Sequence, residues 1–281
     1  VSGTSNRSDP AAPSDAELLS MLTLTPNPIL STTQQSNTLT WTFNSNITSS
    51  KDTAFNYLRK GETLILTYTI TATDDDSTPL SGTNTVTITI TGTNDSPLVS
   101  ATDTSSGDVA ALTETDTTLS SSGSLTVTDL DTSDTVTAAV TSVALSGSFT
   151  SSGSTLPSAL SANSNQALLN MLVLSNPAAN TAMAADSSAG SSFNWTFTSG
   201  AAGDSAFDFL REGETLTLTY TLTLTDNSAA TSPQASPSTT TTVAVTITGT
   251  NDKPTISDAP DSAALTETNA SLSSTGTLTA V

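Results

Sequence analysis

The side chains with the clearest chemical potential in this chain are carboxylates that recur around two Asn-Asp pairs. Asn94-Asp95 and Asn251-Asp252 are each followed by one further residue and then a proline. Glu62 lies 32 residues before the first pair, and Glu214 lies 37 residues before the second. Carboxylate and amide oxygens are the ligands that Ca²⁺ prefers, six to eight at a time, and no His or Cys is needed. The matched spacing therefore indicates calcium sites at two places in the chain.

Further acidic residues follow the first pair. Glu114 lies 19 residues after it, Asp129–Asp131 form an Asp-Leu-Asp turn about 34 residues after it, and Asp226 ends a Thr-rich segment. Any one of these, taken alone, is more typical of a solvated turn. The calcium hypothesis depends on the repeated set, and it leaves Asp134 open. Asp74–Asp76 favours a solvated loop at the end of its strand.

The remaining composition excludes most other chemistry. The 281 residues hold 26 Asp+Glu against 6 Lys+Arg, a formal net charge of −20, with no His and no Cys. Disulfides, thiolate chemistry and His-assisted nucleophiles are therefore excluded, and we expect no enzyme. Paired carboxylates can hydrolyse glycosides, but an active site normally occurs once, whereas these carboxylates recur. The negative charge opposes binding to nucleic acid or anionic membranes, and no apolar run is long enough for a membrane span.

These residues are carried by a tandem duplication. Ala54–Thr69 and Ala206–Thr221 are nearly identical at an offset of 206−54 = 152, and other matched pairs give a period of about 153. A period of this length is one whole domain. We predict the C-terminal part of a first repeat at 1–95, a complete second repeat at 96–252 and the N-terminal strands of a third at 253–281. Such boundaries suggest a piece of a longer polypeptide, or a repeat completed by a neighbouring molecule.

The residue pattern of each repeat predicts β-structure. Thr63–Thr73 and Thr215–Thr225 alternate apolar and Thr residues with a period of two, which predicts half-buried antiparallel strands. Trp41 and Trp195 each stand in a Trp-Thr-Phe alternation, which favours core positions. Several short strands per repeat, separated by Gly, Ser, Asn and Asp clusters, predict an all-β fold of tandem immunoglobulin-like or cadherin-like β-sandwiches.

Helical spacing is rare in this sequence. Three short segments fit it, the last with Ser205 as its N-cap: Asp15–Leu22, Gln166–Leu172 and Ser205–Arg211. A repeat of about 153 residues is long for one sandwich, so we expect insertions. Their Ser, Ala, Gly and Asn content predicts loops or a small subdomain at 146–165 and 176–192.

Taken together, several motifs resemble those of a known family. They are Asn94-Asp95-x-Pro97, Asp129-x-Asp131 and the Tyr-containing strands that end at Asp74 and Asp226. The pattern resembles cadherin-type repeats and, more closely, the VCBS-type repeats of bacterial RTX giant adhesins. Glu62 and Glu214 stand where the family closes an Asp-Arg-Glu motif, but the Asp of that triplet is missing in both repeats.

The resemblance implies one calcium cluster at each junction between repeats. The implied ligands of the first cluster are Glu62, Asn94, Asp95, Asp129, Asp131 and Asp226. The implied ligands of the second are Glu114, Glu214, Asn251 and Asp252, with further ligands beyond Val281. Extracellular modules of this kind bind Ca²⁺ with dissociation constants of roughly 10⁻⁴ to 10⁻³ M.

The implied function is that of calcium-rigidified extender or adhesion repeats in a large bacterial surface protein, located outside the cell and acting in adhesion and biofilm. The alternative is a subunit or segment of an extracellular filament, sheath or surface layer. In that alternative, residues 255–281 of one molecule complete the fold that begins at Val1 of the next. The expected partners are neighbouring repeats of the same or an identical chain. A third alternative is direct binding of glycans or proteins through the insertions, and host or surface glycans or proteins are further expected partners through other regions.

Overall fold

The structure is a computed structural model, and the residues that it describes form strands of two to twelve residues and two small helices. The prediction of an all-β fold is confirmed. The described residues are 1–9, 11–45, 54–101, 108–115, 117–131, 134–149, 166–175, 183–184, 191–199, 206–228, 238–254, 256 and 262–279.

The described part of the first repeat forms five strands and one helix. In chain order these are β1 (Ser2–Gly3), α1 (Asp15–Ser20), β2 (Leu22–Thr25), β3 (Thr40–Phe43), β4 (Thr63–Thr73) and β5 (Ser81–Thr91). β1, β4 and β5 form an antiparallel sheet in that order, and β2 pairs with β3 as a separate two-stranded sheet. The two sheets share a small core that includes Leu18, Tyr57, Leu64 and Leu66.

The second repeat is a two-layer sandwich. One sheet has the order β10-β12-β8-β6, with strands β6 (Leu98–Ala101), β8 (Ser120–Thr128), β10 (Leu172–Ser175) and β12 (Ser191–Thr198). The other has the order β11-β9-β13-β14-β7, with strands β7 (Val109–Thr113), β9 (Thr135–Ser146), β11 (Met183–Ala184), β13 (Thr215–Asp226) and β14 (Ser238–Thr248). All pairings are antiparallel except that of β14 with β7, which is parallel. No described sheet combines strands that precede residue 95 with strands that follow it. The boundaries of the repeats stay predictions.

The long Thr-rich strands alternate as their sequences predict. In β13 every second residue from Leu216 to Asp226 is buried, and the intervening Thr residues face outward. Tyr220, at the centre of this row, packs its ring 6.4 Å from that of Phe197 in the other sheet. Its hydroxyl donates to the carbonyl of Leu168 at 2.9 Å, and the Tyr68 hydroxyl donates to the carbonyl of Leu18 at 2.7 Å. The two repeats therefore build their cores around the same contact.

The predicted helices are shorter than expected or absent. α1 begins after Ser14, which forms a capping box with Glu17, and it ends at Ser20. The second helix, α2, spans only Gln166–Leu169, because the next residues enter β10 and bury their apolar side chains in the sheet. Residues 206–210 form turns and bends, and Ser205 lies outside the described residues. Most of the two predicted insertions also lies outside them.

The two tryptophans differ, which corrects the expectation that both are core residues. Trp195 is fully buried, and it stands opposite Gly123 of β8 so closely that a Cβ added there would lie 2.6 Å from the indole ring. Trp41 is 46% exposed. The physical reason is that β3 pairs with β2 alone among the described residues, whereas β12 pairs with both β10 and β8.

Candidate metal centre

A cluster of acidic side chains lies where the first repeat meets the second. Asn94 and Asp95 follow β5, Asp129 and Asp131 follow β8, and Asp226 is the last residue of β13. Asp131 is fully buried, Asn94, Asp129 and Asp226 are each less than a tenth exposed, and Asp95 is half-buried. Five of the six residues that the resemblance implies for the first site therefore come together from three separate chain segments.

Hydrogen bonds join these segments directly. The Asp95 N–H donates to Asp131 Oδ2 at 2.7 Å, and Asn94 Nδ2 donates to Asp226 Oδ2 at 3.1 Å. Within the turn after β8, the Asp131 N–H donates to Asp129 Oδ1 at 3.0 Å. These bonds hold the carboxylates of Asp129, Asp131 and Asp226 but use only one oxygen of Asp129 and one of Asp131.

The remaining oxygens of the cluster are buried without a hydrogen-bond partner. They belong to Asn94 (Oδ1), Asp129 (Oδ2) and Asp131 (Oδ1), among the described residues. Buried polar atoms are almost always hydrogen-bonded, because desolvating one without a partner costs about 1–3 kcal/mol and more for a charged group. Three such oxygens therefore lie together in one cluster.

Burial and mutual repulsion raise the proton affinity of these carboxyls. Loss of solvation, with smaller contributions from neighbouring carboxylates, raises the pKa of Asp131 to about 8 and that of Asp129 to about 6. The pKa values of Asp95 and Asp226 are also raised, chiefly by burial. Without a cation the cluster therefore disfavours its own ionisation, since like charges in a low-dielectric site repel.

Two residues of this cluster were left open or missed in the sequence. Asp134, directly before β9, is buried, and its carboxylate forms an ion pair with Arg59 of the first repeat at 2.5 Å. Its Oδ2 also accepts from the Ser228 hydroxyl at 2.6 Å. Arg59 Nη2 further donates to Asn227 Oδ1 at 3.3 Å. Arg59 thus links the repeats, and no local motif marks it because its partners lie 75 and 168 residues away.

Glu62 does not join the other five implied ligands through any described contact. Its Oε2 accepts from the backbone N–H of Arg59, three residues before it, at 3.2 Å. Glu214 makes the same contact with the N–H of Arg211 at 3.1 Å. The Arg-x-Gly-Glu segments therefore place the Glu side chain on its own turn, a local role that accounts for its repetition.

The residues implied for the second site are less closely gathered. Glu114 is buried, its Oε2 accepts from the Thr250 hydroxyl at 2.6 Å, and its Oε1 has no hydrogen-bond partner among the described residues. Glu214 is also buried, whereas Asn251 and Asp252 are exposed. Glu114 and Thr250 thus fix the chain where it leaves β14.

The first cluster has the chemistry of a hard-cation site. The buried atoms that lack hydrogen-bond partners are all oxygens. The cluster holds five carboxylates, and the Arg59 side chain forms an ion pair with one of them, Asp134. Such a set suits Ca²⁺, whereas Zn²⁺ and similar metals take His or Cys, of which the sequence has none. No three described acidic side chains already stand in metal-holding positions. The residues therefore fit Ca²⁺ by type and burial, although their present positions do not converge on one point.

Comparisons with known proteins give few matches. No protein-family model and no curated protein matches the sequence. Among solved structures, the chain is similar to AggA, the major subunit of aggregative adherence fimbriae type I from Escherichia coli, with a TM-score of 0.25 and 12% sequence identity. That similarity covers 55% of this chain and 93% of the fimbrial chain. Within the described residues, no helix is both long and apolar enough to cross a membrane.

Proposed function

We propose that this chain is a calcium-rigidified segment of tandem repeats in an extracellular surface protein, where it extends and stiffens the array. The observation that carries this proposal is the junction cluster, with three buried oxygens that lack partners and carboxyls whose pKa values are raised. Buried charges in proteins are paired or coordinate metals. Arg59 is a basic group in contact with the cluster, through its ion pair with Asp134.

Calcium would be held by side chains from both repeats. Asn94 and Asp95 supply oxygens from the end of the first repeat, and Asp129, Asp131 and Asp226 supply them from the second. The cation supplies positive charge that offsets the repulsion between these carboxylates. Asp134 is already neutralised by Arg59, so it supports the site rather than completing it. Because its ligands come from both repeats, the bound cation limits bending between them.

The proposal is tested by thermal unfolding and small-angle scattering of the 281-residue chain, with millimolar Ca²⁺ and then with chelator. We expect calcium to raise the melting temperature and to narrow the distribution of particle lengths around an elongated form. Mg²⁺ at the same concentration is the control for ionic strength, and we expect a smaller effect because Mg²⁺ demands a stricter octahedral geometry. Equal melting curves and scattering profiles with calcium and with chelator would refute the proposal.

A matched pair of variants locates the effect. Asp95→Asn removes one proposed ligand charge at the junction, and Asp75→Asn removes the same charge from an exposed loop. We expect Asp95→Asn to reduce the calcium-induced rise in melting temperature and Asp75→Asn to leave it unchanged. The same reduction in both variants would mean that calcium acts through net charge rather than through a site.

A second candidate function is assembly into an extracellular filament, sheath or surface layer by strand complementation. The observation that favours it is the first repeat, in which β3 and β5 are each paired on one side only among the described residues. Strand edges of this kind bind further strands readily. Sedimentation of the chain over a range of concentrations tests it, and a monomer at every concentration would refute it.

A further inference from the structure

Arg59 reaches from the first repeat into the acidic cluster of the second. Its guanidinium forms an ion pair with Asp134, in which Nη2 lies 2.5 Å from Oδ1. The same nitrogen donates to Asn227 Oδ1 at 3.3 Å. The Asp134 side chain is fully buried, whereas that of Arg59 is 30% exposed. The carboxylate is therefore the partner that cannot reach water, and loss of the guanidinium would leave a buried charge without its counter-ion.

The first repeat holds Arg59 in a turn that is fastened to the end of β5. The Arg59 N–H donates to Glu62 Oε2 at 3.2 Å, and the Glu62 N–H donates to the Arg59 carbonyl at 3.0 Å. Two further backbone hydrogen bonds join this turn to Gly92, the residue directly after β5. A Cβ on Gly92 would overlap the Arg59 carbonyl oxygen, so glycine is needed for this close approach. The turn is thus anchored two residues before Asn94, where the junction begins.

The second repeat orients the groups that the guanidinium meets. Asp134 Oδ2 accepts from the Ser228 hydroxyl at 2.6 Å, and the Asp134 N–H donates to the carbonyl of Asp131 at 2.8 Å. The Asn227 side-chain oxygen also accepts from the Thr135 N–H at 3.2 Å. All of these bonds lie within the second repeat. Each repeat therefore positions its own half of the contact.

We propose that Arg59 is a resident cation of the junction, which attaches the first repeat to the second without a metal ion. With every carboxyl ionised, the five carboxylates and this guanidinium give the cluster a formal charge of −4. The inference deepens the proposed function. The attachment itself does not depend on calcium, whereas its consequence for calcium binding rests on the proposed function.

That consequence is that Arg59 weakens the attraction of the cluster for calcium. Burial is the main cause of the raised pKa values of Asp129 and Asp131, and the charge of Asp134 contributes to both. Asp134 is therefore electrostatically coupled to these two carboxylates. Loss of the guanidinium removes a charge that repels the metal ion and leaves the Asp134 carboxylate uncompensated, so calcium should bind more tightly. Arg59 thus lowers calcium affinity but keeps the repeats attached when calcium is absent.

The test combines small-angle scattering in chelator with calorimetric titration of calcium, both on the 281-residue chain. Arg59→Gln removes the charge, and Arg59→Lys retains it. Asp134→Asn in the Arg59→Gln background removes the unpaired carboxylate and restores the formal charge of −4. Arg211→Gln is the control, because Arg211 is the matching residue of the second repeat and lies just before β13, whereas Asp226 is the last residue of that strand.

We expect Arg59→Gln to bind calcium about tenfold more tightly than the wild type. In chelator, its distribution of particle lengths should be broader than that of the wild type. The double variant should bind calcium within about threefold of the wild type, because the charge of the cluster is the same, but it should keep the broad distribution because the ion pair is absent. Arg59→Lys and Arg211→Gln should resemble the wild type in calcium affinity. Tryptophan emission shows that each variant is folded, and the double variant, which has no unpaired buried charge, keeps the comparison available if Arg59→Gln unfolds.

Two outcomes would overturn the inference. Equal particle-length distributions in chelator for the wild type, Arg59→Gln and the double variant would show that Arg59 does not attach the repeats. Weaker calcium binding in Arg59→Gln that Asp134→Asn does not reverse would show that Arg59 holds the calcium ligands in place instead of competing with the metal ion. A wild type that binds no calcium would refute the proposed function, and the scattering in chelator would still decide whether Arg59 attaches the repeats.

Discussion

Replacing Asp131 by Asn should stabilise the metal-free chain and weaken calcium binding at the same time. Burial raises the pKa of Asp131 to about 8, whereas an unfolded Asp has a pKa of about 3.9. The folded chain therefore holds this proton more tightly than the unfolded chain. This proton stabilises the folded chain relative to the unfolded chain. The stabilisation is fully present below about pH 4 and is lost as the pH rises towards 8.

The size of the effect follows from that difference. A pH of 7 is about three units above the pKa of the unfolded carboxyl. Ionisation of this carboxyl in the unfolded chain therefore favours unfolding by roughly 4 kcal/mol. Asn has no proton to lose, has nearly the same shape and can accept the hydrogen bond that Asp95 N–H donates to Asp131 Oδ2 at 2.7 Å. We expect Asp131→Asn to gain up to about 4 kcal/mol in chelator at pH 7.

The assay is urea unfolding in chelator, followed through the buried Trp195, together with calorimetric titration of calcium. Calcium affinity should fall at least tenfold in Asp131→Asn, because one anionic ligand is lost. Asp75→Asn, in an exposed loop, is the control and should change neither quantity. A chelated Asp131→Asn chain less stable than the wild type would show that this carboxylate is not under electrostatic strain.

Three further results are expected. In chelator, the free energy of unfolding should fall as the pH is raised from about 4 to about 8, because the raised pKa values of Asp129 and Asp131 bind protons to the folded chain; urea titrations that show a rise over this range would contradict it. Trp195→Ala should cost about 3–5 kcal/mol of unfolding free energy and Trp41→Ala in the monomer less than about 1 kcal/mol, and equal losses would contradict the difference in burial. Gly123→Val should cost at least about 1–3 kcal/mol because its side chain meets the Trp195 ring, and an unchanged denaturation midpoint would count against that contact.

The strands and the junction cluster were predictable because their signals are local or repeated. The alternation in Thr215–Thr225 predicts which side of β13 is buried, and the Asn94-Asp95 pair indicates the junction between the repeats. Arg59 carried no such signal, since its partner Asp134 comes from the next repeat and is recognised only through folding. Glu62 was assigned to the cluster by its spacing and by the family resemblance, although one of its carboxylate oxygens accepts a hydrogen bond within its own turn.

The exposure of Trp41 could not be predicted from its Trp-Thr-Phe motif, which is the same as that of Trp195. Burial of an indole depends on a neighbouring strand, and that strand can come from any part of the sequence. For Trp195 that strand is β8, which begins 75 residues earlier at Ser120. Residue pattern therefore identifies the inward face of a strand, and the sheet order decides whether anything covers it.

The parallel pairing of β7 with β14 has a mechanical consequence. β7 lies near the start of the second repeat and β14 at its end, and the two run side by side over five register pairs. Tension on the ends of the repeat pulls β7 backward and β14 forward along the same axis. Their hydrogen bonds are then loaded in shear and must break together, rather than opening one at a time as in a zipper. The arrangement suits a chain that is stretched along its length.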